Sequence, residues 1–438
     1  MGSIITSMAK PSLPESRSPD FTQPAQKTTR SWKGVSARDT FASLRHPNFR
    51  LWFVGQLFSL MGTWMQSTAQ GYLVYELTGS PAYLGYVAFA AGIPAWLFTL
   101  YGGVIADRMS RRNMLVITQT AMMVPAFVLA GLTVARLVQP WHILVLSFLL
   151  GIANAFDAPA RQAFVLEMVS REDMTNAIAL NSTMFNTATA IGPAIGGLVY
   201  AAVGPALCFL INGVSFIAVI IALLLMKLKP FERPTRASNA LADAVAGFRY
   251  VRTNLVARTA ITNLAVVSLF GISFVSLMPA WAVKVLGGDA TTNGFLLSGR
   301  GVGALLGGLM LASISGFVVR GRMVTLGSFV LPLGLLFFTG MRWLPLSLLA
   351  IAVTGWGFLV FVNSSNALLQ GQVPDELRGR VMSIFTLAFF GLLPVGSLLA
   401  GEAAARFGEP LTVAAGAVIS LIYAGFVWLR VPELRRAG

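Results

Sequence analysis

Charge is scarce in this chain. Asp, Glu, Lys and Arg make up 11% of its 438 residues, against about 25% in an ordinary soluble domain, and that deficit excludes a water-facing surface over most of its length. Cysteine is nearly missing. Cys208 stands alone inside an apolar run, so no intramolecular disulfide can form, and packing is its expected role. The two histidines, His46 and His142, sit beside expected helix ends and belong to no ligand cluster, so no metal site is expected. No Gly-Lys pair occurs, which removes the phosphate-cradling loop of an ATP-driven pump. A membrane enzyme would want clustered His, Cys or paired acids near an interface, and the sequence offers none. We expect no catalytic residue and no cofactor.

What is present is apolar: hydrophobic residues fill 55% of the chain and mean hydropathy is +0.72. Residues 1–45 differ, being rich in Ser, Thr, Pro and Lys with no run resembling a signal peptide. They read as a disordered cytoplasmic tail, and Glu15, Asp20 and Asp39 count against a transit peptide. From about residue 49 to 430 the hydropathy breaks into twelve runs of roughly 20 residues or more, the length that crosses a bilayer. Tight turns such as Gly79-Ser80-Pro81 and Gly204-Pro205 help locate their ends. Spanning segments must satisfy their own backbone, so the runs are read as helices.

The longest polar break falls between runs six and seven and divides the chain in two. Glu167-Met168-Val169-Ser170-Arg171-Glu172-Asp173 parallels Gly371-Gln372-Val373-Pro374-Asp375-Glu376-Leu377, and the same offset lays Gly192, Gly196 and Gly197 over Gly396, Ala400 and Gly401. Duplicated halves in a chain this hydrophobic point to a transporter with its path between them. The expected fold class is all-α integral membrane, with twelve transmembrane helices in two pseudo-symmetric six-helix bundles. The expected divisions are the tail 1–45, an N-terminal bundle 46–228, a cytoplasmic linker 229–257, a C-terminal bundle 258–431 and a cytoplasmic end 432–438.

Orientation follows from the basic residues. With both termini inside, the outer loops hold only Arg136, Lys284, Arg342 and Arg406, and Arg300 falls inside a span, out of 32 Lys and Arg. That is a positive-inside pattern. The net charge of +15 therefore reads as topology and attraction to anionic lipid. The basic residues are dispersed through short loops, without the folded aromatic-basic face of a nucleic-acid binder.

After the second run comes Gly103-Val104-Ile105-Ala106-Asp107-Arg108-Met109-Ser110-Arg111-Arg112. The glycine allows close helix approach, the aspartate can cap a helix, and the arginines reach carboxylates or phosphates. The spacing G-x-x-x-D-R-x-x-R-R at this junction resembles the loop signature of the major facilitator superfamily, with Ser110 where glycine is usual. The resemblance implies an inner gate of Gly103, Asp107, Arg108, Arg111 and Arg112, meeting the eleventh helix when the carrier opens outward, with Asp157 and Arg161 beside it. The matching junction of the second half, Ser315 to Arg322, keeps basic residues but has no aspartate.

Run five contains Gly192-Pro193-Ala194-Ile195-Gly196-Gly197. Small residues four apart make a groove for close packing, and the proline removes a backbone hydrogen bond. G-P-x-x-G-G here resembles the core of the superfamily's antiporter motif, an upstream glycine being replaced by Ala188. Asn48-Phe49-Arg50-Leu51-Trp52, Gly62-Thr63-Trp64-Met65-Gln66, Tyr75 to Pro81, Asn154 to Gln162 and Asn176 to Ser182 together resemble the bacterial exporter branch that includes the enterobactin exporter and related drug-efflux permeases. That branch implies proton-coupled efflux of a small amphipathic molecule, drug-like or siderophore, by a monomer in the inner membrane. An uptake carrier for a small organic solute is the alternative, and transport direction decides between them.

A carboxylate inside a membrane is costly to ionise, by roughly 2.5–3.5 kcal/mol on insertion scales, which suits it to loading and releasing a proton. Candidates for coupling are Asp157, Glu402 and the intramembrane Arg300, to which Glu402 is one conceivable counter-charge. Asp157 lies four residues before Arg161, so an ion pair on one helix face is the other reading. In the superfamily, helices one, four, seven and ten line the substrate path. Cavity candidates there are Gln56, Trp64, Gln66, Gln70, Asn154, Asn263, Phe274, Trp356, Asn363 and Asn366, with interhelical hydrogen bonding as the plainer role of the amides. Gln56, Gln66 and Gln70 could share one helix face.

Overall fold

The computed structural model describes residues 41–228, 240–314 and 319–437, apart from the side chains of 99–108 and 240–244. Twelve long helices run through these residues. The first half holds α1 (Pro47–Thr78), α2 (Pro81–Arg108), α3 (Arg111–Val134), α4 (Pro140–Glu167), α5 (Met174–Val203) and α6 (Pro205–Leu225). The second holds α7 (Leu255–Val285), α8 (Ala290–Ile314), α9 (Arg320–Gly340), α10 (Leu344–Gln372), α11 (Asp375–Phe407) and α12 (Glu409–Arg430). Ten are long and apolar enough to cross a membrane. The other two, α1 and α5, are interrupted by amides such as Gln56, Gln66, Gln70, Asn181 and Asn186. Polar helices of this kind are stable in a bilayer only where neighbouring helices or a cavity take up their polar groups.

Packing sorts the helices into two bundles. In the first, α1 lies on α5 and α6, α2 on α4, and α3 on α4 and α6; in the second, α10 lies on α8 and α9, and α9 on α12. Two seams join the bundles, α5 against α8 and α2 against α11. The protein is a multi-pass, all-α membrane protein of two six-helix bundles.

The internal repeat shows in four glycines. Gly79, Gly204, Gly287 and Gly408 have φ of 61°, 89°, 62° and 83°, and they form the turns α1–α2, α5–α6, α7–α8 and α11–α12. These four turns lie at one end of the molecule. Gly204 (ψ 173°) and Gly408 (ψ 157°) adopt a conformation essentially reserved for glycine, and they stand at the 204-residue offset of the repeat.

Helix α7 is not uniform. Wide π turns at Val267–Gly271 and Trp281–Val285 flank a tight 3-10 turn at Ser273–Leu277, and α11 carries a π turn at Leu387–Gly391. Such turns change the direction of side chains along a helix. The second bundle's core is apolar, with Trp281 stacked on Phe338 at 4.5 Å.

The structure shifts three expected boundaries. Ordered packing begins before residue 46: Ala42–Arg45 form a 3-10 turn, the Ser43 N–H donates to Asn176 Oδ1 (2.9 Å), and His46 lies 2.7 Å from Asp173. The remainder of the expected tail, 1–40, lies outside the described residues. The expected linker contains a helix, Ala240–Thr253, and α7 begins inside it at Leu255. That linker helix packs on the start of α11, where a Cβ on Gly247 would come within 3.0 Å of Arg380. At the C-terminus Pro432–Arg436 form a short helix with Leu434 buried, and the Gly321 N–H donates to the Ala437 carbonyl (3.0 Å).

Candidate functional site

Helix α4 continues through Pro159, so Asp157 and Arg161 fall one turn apart on the same face. Asp157 is 1% exposed. Its Oδ1 accepts from Thr118 Oγ1 (2.8 Å) and Gln119 Nε2 (3.0 Å) of α3, and its Oδ2 lies 3.5 Å from Arg161 Nε. Burial of a carboxylate is tolerated when donors surround it in this way.

Beside this carboxylate is a cavity of about 130 Å³ inside the first bundle. Gln56, Ser59, Thr63 and Trp64 of α1 form one wall, and Gln119 of α3 with Asn154, Asp157 and Arg161 of α4 another. Phe185 of α5 and Phe216 of α6 close it, Phe185 meeting Trp64 edge-on at a ring separation of 6.1 Å. Gln56 Oε1 and Gln119 Oε1 are buried with no hydrogen-bond partner among the described residues. A buried acceptor left unpaired is destabilising by about 1–3 kcal/mol.

Five of the residues singled out in the sequence thus meet at one place: Gln56, Trp64, Asn154, Asp157 and Arg161. Gln66 and Gln70 do not join them. Gln66 Oε1 accepts from Asn212 of α6 (2.7 Å), while Gln70 Nε2 donates to Ser147 of α4 (2.6 Å). Residues four apart are offset by about 40° around a helix, enough to send two long side chains to different neighbours. The shared face expected for the three glutamines is therefore not formed. Asn154 Nδ2 turns back to the Leu150 carbonyl (3.1 Å).

The second bundle contributes nothing to this cavity. Asn263 is 1% exposed with its Nδ2 unpaired among the described residues, Phe274 is buried in the core, and Asn366 accepts from Gln370 (2.6 Å). Trp356 is half-buried and Asn363 exposed. Phe274 also borders a second, apolar cavity of about 500 Å³ between α7, α11 and α12.

Thr118, Gln119, Phe185 and Phe216 lie on α3, α5 and α6, outside the helices one, four, seven and ten to which the family resemblance points. A signal was available, for Thr118-Gln119-Thr120 is a polar step inside an otherwise apolar run.

Gly103, Asp107 and Arg108 lie at the end of α2, outside the residues whose side chains are described. Arg111 pairs with Glu167 at the end of α4, and Arg112 donates to the Leu224 carbonyl of α6 (2.8 Å). Both ties stay within the first bundle.

The glycines of α5 serve two neighbours. A Cβ on Gly192 would lie 2.6 Å from Trp64 Cβ, and one on Gly196 2.9 Å from the Met65 backbone, both on α1. A Cβ on Gly197 would lie 2.5 Å from the Ala290 carbonyl of α8. The Pro193 carbonyl faces Gly294 of α8, and the Ala194 N–H donates to Ser298 Oγ (2.8 Å). Ala188 is fully buried against Leu60 and Met184.

Glu402 bridges the bundles by accepting from the Tyr86 hydroxyl of α2, with Arg406 3.8 Å away on its own helix. Arg300 is not its partner. The Arg300 Nε is buried in α8 without a hydrogen bond among the described residues.

Comparison with known proteins agrees with this architecture. Residues 38–437 match the family model described as transmembrane secretion effector. The chain is 25% identical to the staphyloferrin A transporter of Staphylococcus aureus over 362 residues, covering 82% of this chain and 90% of that one. It is 28% identical to the multidrug efflux pump Tap of Mycolicibacterium fortuitum over 376 residues (83% and 90%). It is 28% identical to the enterobactin exporter EntS of Shigella boydii over 403 residues (89% and 93%). In three dimensions it resembles a POT family transporter (TM-score 0.72, 10% identity, 90% of this chain and 99% of that one). It also resembles a D-xylose–proton symporter (TM-score 0.68, 15% identity, 87% and 98%). These two likenesses concern the fold. Sequence match and fold together make the chain a member of the transmembrane secretion effector family of major facilitator transporters.

Proposed function

We propose that the protein is a secondary active exporter of the bacterial inner membrane, moving a small amphipathic molecule outward in exchange for protons by alternating access. The observation that carries this reading is a buried carboxylate at the wall of a polar and aromatic cavity, in a molecule whose inter-bundle glycine contacts gather at one end. Gly85, Gly92, Gly197, Gly294 and Gly301 all fall in the helix halves nearest the four glycine turns. With basic loops and both termini cytoplasmic, that sealed end is the outer one, and the cavity loads from the cytoplasm. Relatives named for staphyloferrin A, enterobactin and multidrug efflux support a siderophore or drug-like cargo.

Asp157 and Glu402 are the proton-coupling groups in this reading, one at the cavity and one at the outer seam. The end of α2, with Asp107 and Arg108 next to Arg111 and Arg112, forms the inner gate, which docks on α11 when the outer end opens. The carrier works as a monomer, its basic loops resting on anionic lipid.

The test is transport by purified protein in liposomes, against dyes, drugs and siderophores, with and without an imposed pH gradient. Movement of cargo against the proton flow is expected. Movement with the protons would make this an uptake carrier, and indifference to the gradient would make it a facilitator.

A further inference from the structure

Helix α8 carries a cation that no described residue answers. Arg300 stands ten residues after Ala290, the start of this 25-residue helix, about 15 Å from the end that holds the glycine turns. That depth lies inside the hydrocarbon layer, away from lipid headgroups. The Arg300 Nε is buried without a hydrogen bond, whereas the two terminal nitrogens keep open surface and have no hydrogen bond or ion pair among the described residues. The carboxylates of the other spans are engaged elsewhere: Glu76 with Tyr200, Asp157 with Thr118 and Gln119, Glu402 with Tyr86, and Glu409 with Lys284. An intramembrane cation is costly and marks a functional position.

The phase of the helix shows where Arg300 points. Phe295, Val302, Leu306 and Leu309 form the exposed stripe of α8, Gly294, Ser298 and Gly301 face α5, and Gly299 and Gly303 face α10. At about 100° per residue, Arg300 lies roughly 120–180° around from the exposed stripe, on the face turned to the space between the bundles. It stands next to Gly301, the innermost glycine of the α5–α8 seam. Two helical turns further along the same face, a Cβ on Gly307 would lie 3.3 Å from Cδ1 of Trp356, a half-buried side chain of α10. The first half has no counterpart of the charge. A Cβ on Gly151 would strike the Ala91 carbonyl, and one on Gly355 the Arg300 carbonyl, so the repeat puts an exposed alanine where the second half has arginine.

We infer that Arg300 holds the anionic group of the cargo, a carboxylate or similar organic anion, between the two bundles, with the cargo's apolar body against Trp356. The two open nitrogens of the planar guanidinium offer parallel donors that match a carboxylate. The inference rests on the transporter reading above and narrows its cargo to anionic amphiphiles.

The test uses full-length protein in a non-ionic detergent and two fluorescent probes of one shape, 6-(dansylamino)hexanoic acid and the corresponding carboxamide. The acid should bind at least about tenfold more tightly, through a charge-assisted pair that the carboxamide cannot make. Arg300→Gln should remove that preference while carboxamide affinity stays within about twofold, and Arg300→Lys should keep part of it. Trp356→Ala should weaken both probes alike. Arg300→Gln should also leave the melting temperature unchanged or higher, because it removes an unpaired cation; a drop that comes with loss of both probes marks a structural role and overturns the inference. Equal binding of the probes to the unaltered protein, binding of neither, or an acid preference that survives Arg300→Gln overturns it as well. Transport in liposomes separates the two readings. Proton-driven export by protein that binds both probes equally removes the anion site and leaves the exporter, whereas Arg300-dependent binding of the acid without transport does the reverse.

Discussion

The two seams that join the bundles are copies of one interface, yet they are built from different chemistry. In the α5–α8 seam backbone meets backbone. Gly197 lies on Ala290 and Gly294, Gly301 lies on Thr189 and Ala190, and the polar contact is a neutral one from the Ala194 N–H to Ser298. In the α2–α11 seam Gly85 meets Gly401 in the same way, but Gly92 takes the Pro394 ring, Gly391 takes the Trp96 indole, and Tyr86 donates to Glu402. Duplication therefore transmitted the geometry, glycine over backbone, while the charge was placed on one copy. The hydrogen bond of the α5–α8 seam, from the Ala194 N–H to Ser298 Oγ, joins neutral groups. The α2–α11 seam carries the carboxylate of Glu402, the proposed coupling group, at the Tyr86 hydroxyl. A further ionic contact lies near the same end, where Lys284 of α7 sits 3.3 Å from Glu409 of α12 and 5.9 Å above the Tyr75 ring of α1.

The strongest way to break this comparison is to thicken both seams. Gly197→Leu and Gly401→Leu each place a side chain where the partner backbone stands within 3 Å of the Cβ. Overpacking of this kind is destabilising by about 1–3 kcal/mol, so closure and transport should fall roughly ten- to a hundredfold in liposomes for either variant. A variant with normal transport would show that its seam does not close during the cycle.

The paired turns give a smaller, structural test. Gly204→Ala and Gly408→Ala should each lower stability by about 1–3 kcal/mol, read as equal drops in melting temperature in detergent. Unequal drops would mean that the repeat does not extend to the turns.

Glu402→Gln keeps an acceptor for Tyr86 but removes the charge. Export should continue, with a flattened dependence on pH at the outer face; Asp157→Asn should flatten the dependence as well. If both variants keep the original pH profile, the protons are carried elsewhere. The smallest effect is expected from Ser298→Ala, which removes a neutral hydrogen bond of about 0.5–1.5 kcal/mol and should change the rate a few-fold at most without touching the pH profile. A changed profile would overturn the division between a seam of neutral contacts and one that carries a carboxylate.

Much of the architecture was readable beforehand. Hydropathy located the twelve helices, and Gly79 and Gly204 were marked as turns because glycine followed within two residues by proline ends one helix and starts the next. The offset that lays Gly192 and Gly197 over Gly396 and Gly401 proved to be a contact rule: the first of each pair faces α1 or α7, the second α8 or α2. The site was only partly readable. Nothing in the sequence makes Gln56, Gln119 and Asp157 neighbours, while Gln66 and Gln70 take the plainer of their two expected roles, interhelical hydrogen bonds to Asn212 and Ser147.

The sequence by itself determined that this chain lives in a membrane, that it is helical and doubled, and that its carboxylates are few. Those properties follow from local sums of hydropathy and from motifs read along one strand of text. Only the tertiary structure decided which polar groups meet. Asp157 and Gln119 are 38 residues apart and Tyr86 and Glu402 are 316 apart. A hydrogen bond needs heavy atoms within about 3 Å, and each residue turns a helix by about 100°. A small rotation of one helix therefore changes every partner on its face.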